Sequence, residues 1–258
     1  MASTVAQPVA SSPATQVSPR QQEVLAAISA VRDPEIDETV AALDFIMAVD
    51  GEDDAVTVTV RLPTFWCPAN FVFLMAQDMR AAVMALGWPA SFRMQLVEHF
   101  AADEINRGVN DGLPFEEVFP QARSGLDELR RSFDEKAFLM RQGTLVRLLR
   151  RAGLEDAYLL GVGIAEVGGL CRQTGGELAE AWQAYLAKRQ KIGLGDGESD
   201  LVVSDIRGRP VDDLPAHLRE IRSVSTNAHA NGEMCRMLVA ARREGGGCSL
   251  VQSGRQAP

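Results

Sequence analysis

The stretch Pro63-Thr64-Phe65-Trp66-Cys67-Pro68-Ala69 lies between a strand-like run, 55–62, and a helix-like run that begins near Asn70. Cys67 is therefore expected at the N-terminus of a helix. The positive end of the helix dipole and the unpaired backbone N–H groups there favour the thiolate, the form that binds metals or attacks electrophiles. A small apolar packing residue fits the same position. Position alone leaves both interpretations of Cys67 open.

The residues around this stretch predict a small domain of α-β-β-α-β order. Apolar residues at helical spacing predict two helices, and alternation of Val56, Val58 and Val60 with polar residues is typical of a strand with one buried face. A polar turn, 51–54, joins two strand-like runs and predicts a β-hairpin. The five expected elements are helix 21–31, strands 39–49 and 55–62, helix 70–86 and strand 91–98.

This order and two short motifs resemble the iron-sulfur cluster assembly family that includes the bacterial SufT and PaaD proteins. The family carries Asp-Pro-Glu after its first helix, matched here by Asp33-Pro34-Glu35. It also carries Cys-Pro at the start of its second helix, matched by Cys67-Pro68. The resemblance covers about residues 20–98 and implies an α+β fold for the small domain.

The resemblance implies a maturation factor that delivers or inserts iron or an iron-sulfur cluster into a client metalloprotein. Cys67 would be the transient ligand, with Asp33, Glu35 and Thr64 as supporting residues. Since PaaD-like relatives support such systems, the client it suggests is a bacterial metal-dependent oxygenase component. Asp44 departs from the family pattern, which usually has glycine there, and Trp66 stands where a glycine tends to precede the cysteine.

Two other functions remain open at this point. In a metal-free binding or assembly subunit of the same fold, Phe65, Trp66 and Phe71 would form an apolar contact patch around a packed Cys67. In a thiol enzyme, Cys67 would be the nucleophile, and only His99 is placed to act as its base.

Three further residues are candidate ligands. His99 and Asp103 would share one side of a helix that began at once, although an acidic residue at that position also fits a helix start. Cys248 follows three glycines and would join Cys67 only if that segment docks.

The rest of the chain predicts a mainly helical extension, 99–244, flanked by a disordered tail at 1–19 and a flexible tail at 245–258. Within the extension, an amphipathic helix is expected over 125–151. Its many arginines form either a solvated face or a docking face for an acidic partner or for the acidic small domain. Further expected elements are helix 177–191, a short strand 201–204 and helices 212–221 and 231–243.

Charge and cysteine usage limit the partners. The net charge is −9, and residues 1–100 hold twelve acidic against five basic side chains, which argues against nucleic acid as a partner. Four cysteines without C-x-x-C pairing indicate neither a zinc knuckle nor a disulfide framework. No signal peptide or membrane-spanning run is visible. We therefore expect a cytoplasmic protein without membrane partners, and self-association stays open.

Overall fold

A computed structural model describes residues 18–122, 125–195, 197 and 200–244. The expected tails lie outside the described residues except for Ser18 and Pro19, which instead begin the first helix: the Ser18 side chain accepts a hydrogen bond from the Gln21 N–H at 3.2 Å. The elements in chain order are α1 (Pro19–Ser29), β1 (Ile46–Glu52), β2 (Ala55–Arg61), α2 (Ala69–Met84), β3 (Ser91–Val97), α3 (Ala102–Asp111), α4 (Phe115–Val118), α5 (Leu126–Arg151), α6 (Asp156–Gly161), α7 (Ile164–Thr174), α8 (Gly176–Lys191) and α9 (Leu214–Glu244).

The predicted fold class is confirmed: an α-β-β-α-β region is followed by a mainly helical part. The sheet has the order β1-β2-β3, with β1 antiparallel to β2 and β2 parallel to β3. Because parallel neighbours need a crossover connection, α2 runs between β2 and β3. Cys67 therefore lies between the end of β2 and the start of the crossover helix.

Strand alternation positions the core of the small domain. Val56, Val58 and Val60 are buried, as are Phe92, Met94 and Leu96 of the neighbouring β3. Side chains two apart in a strand share one face, so this face of the sheet packs into a first hydrophobic cluster with α1 and α2. The opposite face of β2 and β3 carries polar residues.

The first strand differs from the predicted 39–49, because β1 begins at Ile46, extends to Glu52 and follows turns at 40–44. Thr39 closes one turn by accepting the Ala42 N–H on its hydroxyl at 3.2 Å. Asp44 has φ 57°, the left-handed conformation that glycine adopts most easily. Aspartate also tolerates this conformation, so Asp44 provides the turn without a glycine.

The extension is built around α5, which packs against α8 and α9. Its second hydrophobic cluster is centred on Phe138, Leu145, Trp182 and Tyr185. The predicted strand 201–204 is wrong: Leu201 and Ser204 form only isolated bridges, to Gly163 and Pro210.

The two helices predicted at 212–221 and 231–243 are one continuous helix, α9. Ser225 and Thr226, which lie between the two predicted helices, both donate their hydroxyls to the Arg222 carbonyl, at 3.2 and 2.7 Å. This bonding satisfies their hydroxyls inside a helix. His229, which the sequence placed before the last helix, therefore lies within it.

Arginines of α5 join the two regions. Arg141 donates two hydrogen bonds to the Asp37 carboxylate, at 2.7 and 2.8 Å, and a third to the Ala184 carbonyl of α8 at 2.7 Å. Arg130 pairs with Asp78 of α2 at 2.7 Å. These arginines dock the acidic small domain, whereas Arg150 pairs with Asp156 within the extension.

Candidate metal-sulfur site

The Cys67 thiol lies one residue before the N-cap of α2, which is Pro68. Its side chain is half-buried, and Thr64 Oγ1 lies 3.3 Å from its Sγ. Thiols and hydroxyls can each donate or accept, so Thr64 orients the sulfur. The geometry thus places the predicted supporting residue Thr64 directly against the predicted ligand.

The connection after β3 holds the Cys67 loop in place. Glu98 has φ 52° and turns the chain, so that the Phe100 N–H donates to the Phe65 carbonyl at 3.1 Å. His99 Nε2 lies 2.8 Å from the Cys67 carbonyl, and the Ala101 N–H donates to His99 Nδ1 at 3.2 Å. A carbonyl can only accept, so Nε2 carries the proton.

His99 is therefore neither a free ligand nor a base for Cys67, because both of its ring nitrogens are engaged. Burial lowers the pKa of His99, which agrees with a neutral ring. Asp103 is exposed in the first turn of α3, where the helix dipole favours an acidic side chain. The structure thus supports the helix-start interpretation of Asp103 over that of a ligand.

The Asp-Pro-Glu motif forms a tight acidic loop. Asp33 Oδ1 accepts the backbone N–H groups of Glu35 and Ile36, at 2.9 and 3.2 Å. Burial raises the pKa of Asp33, and the neighbouring Glu35 and Glu38 add to the rise, against these hydrogen bonds. Asp33 thus shapes the acidic loop.

Cys235 of α9 joins this site, and sequence reasoning missed it. Burial raises its pKa to about 11, and the charges of Asp33, Cys67 and Glu35 contribute in that order. Cys67 and Cys235 both pack against the first hydrophobic cluster, and Arg236, the next residue of α9, pairs with Glu38 just after the Asp-Pro-Glu motif. Since 167 residues separate the two cysteines in the chain, the only available signal was that Cys235 lies on an apolar helix stripe.

A cluster of exposed aromatic rings borders Cys67. Trp66 stacks on Phe100 with ring centroids 5.8 Å apart and meets Phe65 edge-on at 4.9 Å. Trp66 is 74 % exposed. Phe71, predicted for this patch, instead meets Phe133 of α5 edge-on at 5.0 Å, because it lies on the α2 face that the extension covers. Phe100 takes its place.

The remaining thiols divide into two cases. Cys171 is fully buried in the second cluster, and burial raises its pKa to about 11, as expected of a packing residue. Cys248 lies outside the described residues. Among the residues that the structure describes, no group of three or more His, Cys, Asp or Glu side chains is arranged to hold a metal ion.

Comparison with known proteins finds a similarity within the small domain. Residues 21–91 match the family model described as iron-sulfur cluster assembly protein. The match includes Asp33, Glu35 and Cys67 and leaves the extension outside it. It supports a general role in iron-sulfur cluster assembly. Neither the curated proteins nor the solved structures gave a match. No helix in the described ranges is long and apolar enough to cross a membrane.

Chemically, the site offers one half-buried soft donor, Cys67, and a second thiol, Cys235, that packs against the same hydrophobic cluster. Thiolates prefer iron, zinc and copper(I) over hard cations. An incomplete donor set suits temporary holding better than permanent storage.

Proposed function

We propose that this protein is a non-enzymatic maturation factor that helps to deliver or insert iron or an iron-sulfur cluster into a client metalloprotein. The observation that carries this proposal is the half-buried Cys67 thiol at the start of α2, within the segment that matches the assembly family. Iron or the cluster is the cargo, and Cys67 is its transient ligand. Thr64 orients the sulfur, while Asp33 and Glu35 supply negative charge that favours a cation.

The finer features of the proposal come from the SufT/PaaD resemblance. A bacterial metal-dependent oxygenase component is the client that it suggests, with the helical extension as the recognition element. A cytoplasmic location and the absence of nucleic acid partners are part of the same proposal.

The test is the content of iron and acid-labile sulfide after purification without oxygen. Wild type is compared with Cys67→Ser and with Cys171→Ser, a buried thiol in the second cluster. We expect Cys67→Ser to lose most of the bound metal while Cys171→Ser keeps it, with both variants folded by circular dichroism. Equal metal in wild type and Cys67→Ser, with and without a client present, would reject the proposal.

A metal-free assembly subunit is the second candidate, and the stacked Phe65, Trp66 and Phe100 rings favour it. Exposed apolar clusters of this kind mark contact surfaces. In this case Cys67→Ser would leave client maturation intact, whereas Trp66→Ala would abolish it. The proposed maturation factor predicts that Cys67→Ser is the damaging change.

A further inference from the structure

The distal half of α9 lies over the small domain. Ala228 is buried in the first hydrophobic cluster, and Cys235 and Val239 are half-buried against it. These three residues are spaced by seven and four, so they lie on one face of the helix. The helix thus presents Cys235 to the small domain.

Two arginines that follow Cys235 in α9 fix this placement. Arg236 pairs with Glu38, at the end of the acidic loop that begins at Asp33. Arg242 donates to the Leu62 carbonyl at 2.6 Å and lies 3.6 Å from Glu98. Leu62 precedes the Cys67 loop, and Glu98 precedes His99, which is hydrogen-bonded to the Cys67 carbonyl. The part of α9 that begins at Cys235 is therefore anchored both to the end of the acidic loop and to the chain that leads into the Cys67 loop.

We propose that Cys67 and Cys235 form a dithiol that jointly binds a soft, thiophilic cation. The pairing stands on the placement of α9, and only the identification of the physiological cation as iron rests on the proposed function. Asp33 and Glu35 favour a cation at this position through their negative charge. Two protein donors leave the other coordination positions to solvent or to a client, which permits release.

Phenylarsine oxide is the probe, because trivalent arsenic binds paired thiols. Two As–S bonds form, and the oxide oxygen leaves as water with both thiol protons, so no oxidant or reductant is needed. Chelation by two thiols strengthens binding over one thiol by roughly 100-fold or more, since the second bond forms intramolecularly. Binding to the full chain is measured by intact-mass spectrometry with a monothiol competitor.

We expect one tightly held arsenical in wild type, and at least a roughly 100-fold loss of affinity in both Cys67→Ser and Cys235→Ser. Cys171→Ser and Cys248→Ser are matched controls that should keep wild-type affinity. Removal of an anchor, Arg242→Ala, should weaken binding, whereas Arg219→Ala, on an exposed part of the same helix, should not.

Wild-type affinity in Cys235→Ser would overturn the proposal, as would loss of binding in Cys248→Ser. Protease mapping of the arsenical adduct in the unmodified chain gives a second readout that does not depend on variant folding. A bridge between the Cys67 and Cys235 peptides supports the pair, and any other bridge rejects it. Failure here leaves the iron test of Cys67→Ser unaffected, so the two proposals fail separately.

Discussion

The small domain and the helical extension bury different kinds of side chain. In the small domain, strand alternation and helix stripes fill the core with apolar residues. Among the described residues, five of the six buried polar side chains lie from α5 onward: Asp134, Gln142, Arg189, Ser204 and His217; the sixth, His99, directly follows β3 and holds the Cys67 loop. Local pattern thus specifies the first region, whereas the second depends on hydrogen bonds between residues distant in sequence.

Arg189 is the centre of that polar network. It is 2 % exposed and donates to the carbonyls of Gly195 and Leu201, to the Tyr185 hydroxyl and to the Ser204 hydroxyl. Gln142 extends the network by donating to the Ser204 carbonyl at 3.0 Å and meeting His217 at 2.6 Å. An apolar substitute cannot satisfy these acceptors.

The largest expected effect is therefore at Arg189. Arg189→Ala leaves several buried acceptors unpaired, and we expect it to lower the free energy of unfolding by more than about 4 kcal/mol. Met79→Ala, an apolar truncation in the small domain, should cost about 2 to 5 kcal/mol. Urea unfolding measures both.

Lys191→Ala is the control on the same helix, because the Lys191 side chain is 45 % exposed in its pair with Asp134. Its cost should be below about 1 kcal/mol. If Arg189→Ala lowered the free energy of unfolding no more than Lys191→Ala, the extension would not depend on its buried polar network.

The sequence predicted the elements whose signal is local. Val56, Val58 and Val60 alternate and are buried as expected, and helix 70–86 corresponds to α2. The turn at Asp44 was not predicted, because aspartate rather than glycine adopts the left-handed conformation there. The continuity of α9 escaped because Thr226 favours a break by propensity, and its hydroxyl bond within the helix becomes visible only in the structure.

The candidate site was predictable only where its residues carry a local sequence signal. Cys67 and Asp33 belong to short motifs, whereas Cys235 reaches them through the fold of a helix that lies far along the chain. Phe71 was predicted for the exposed patch but packs against α5, and Phe100 lies in the patch instead. The placement of α5 decides which face of α2 is covered. Sequence spacing carries no information about such long-range packing.

One buried histidine, His99, holds the Cys67 loop, and another, His217, lies in α9, and acid should affect the two differently. Burial lowers the pKa of His99 and of His217, although Glu220 and Asp205 oppose the shift at His217. The unfolded chain therefore takes up protons first, near the ordinary pKa of 6.5. The stabilising contribution of each histidine is full above that value and is lost as pH falls through the lower folded value.

We expect the free energy of unfolding to decrease as the pH is lowered from 7.5 to 5.5. Either His99→Gln or His217→Gln should make this decrease smaller, because it removes one of the titrating groups. Protonation at His99 also breaks the bond from the Ala101 N–H, worth about 0.5 to 1.5 kcal/mol. Amide exchange at Ala101 should therefore rise in acid, relative to the intrinsic rate. His217 keeps its bond to Gln142 when charged, so no such local effect is expected there. Unchanged amide exchange at Ala101 in acid would contradict the expected loss of the bond to His99.

The smallest effect on stability is expected at Trp66. Trp66→Ala removes an exposed ring that stacks only on neighbouring exposed rings, so the free energy of unfolding should change by less than about 0.5 kcal/mol. Trp182 is 2 % exposed in the second cluster, and Trp182→Ala should cost about 3 to 5 kcal/mol. Equal costs for the two tryptophans would mean that the Trp66 ring belongs to the core. A much smaller cost for Trp66→Ala than for Trp182→Ala would mean that the fold does not depend on the Trp66 ring, which is then available to contact a partner.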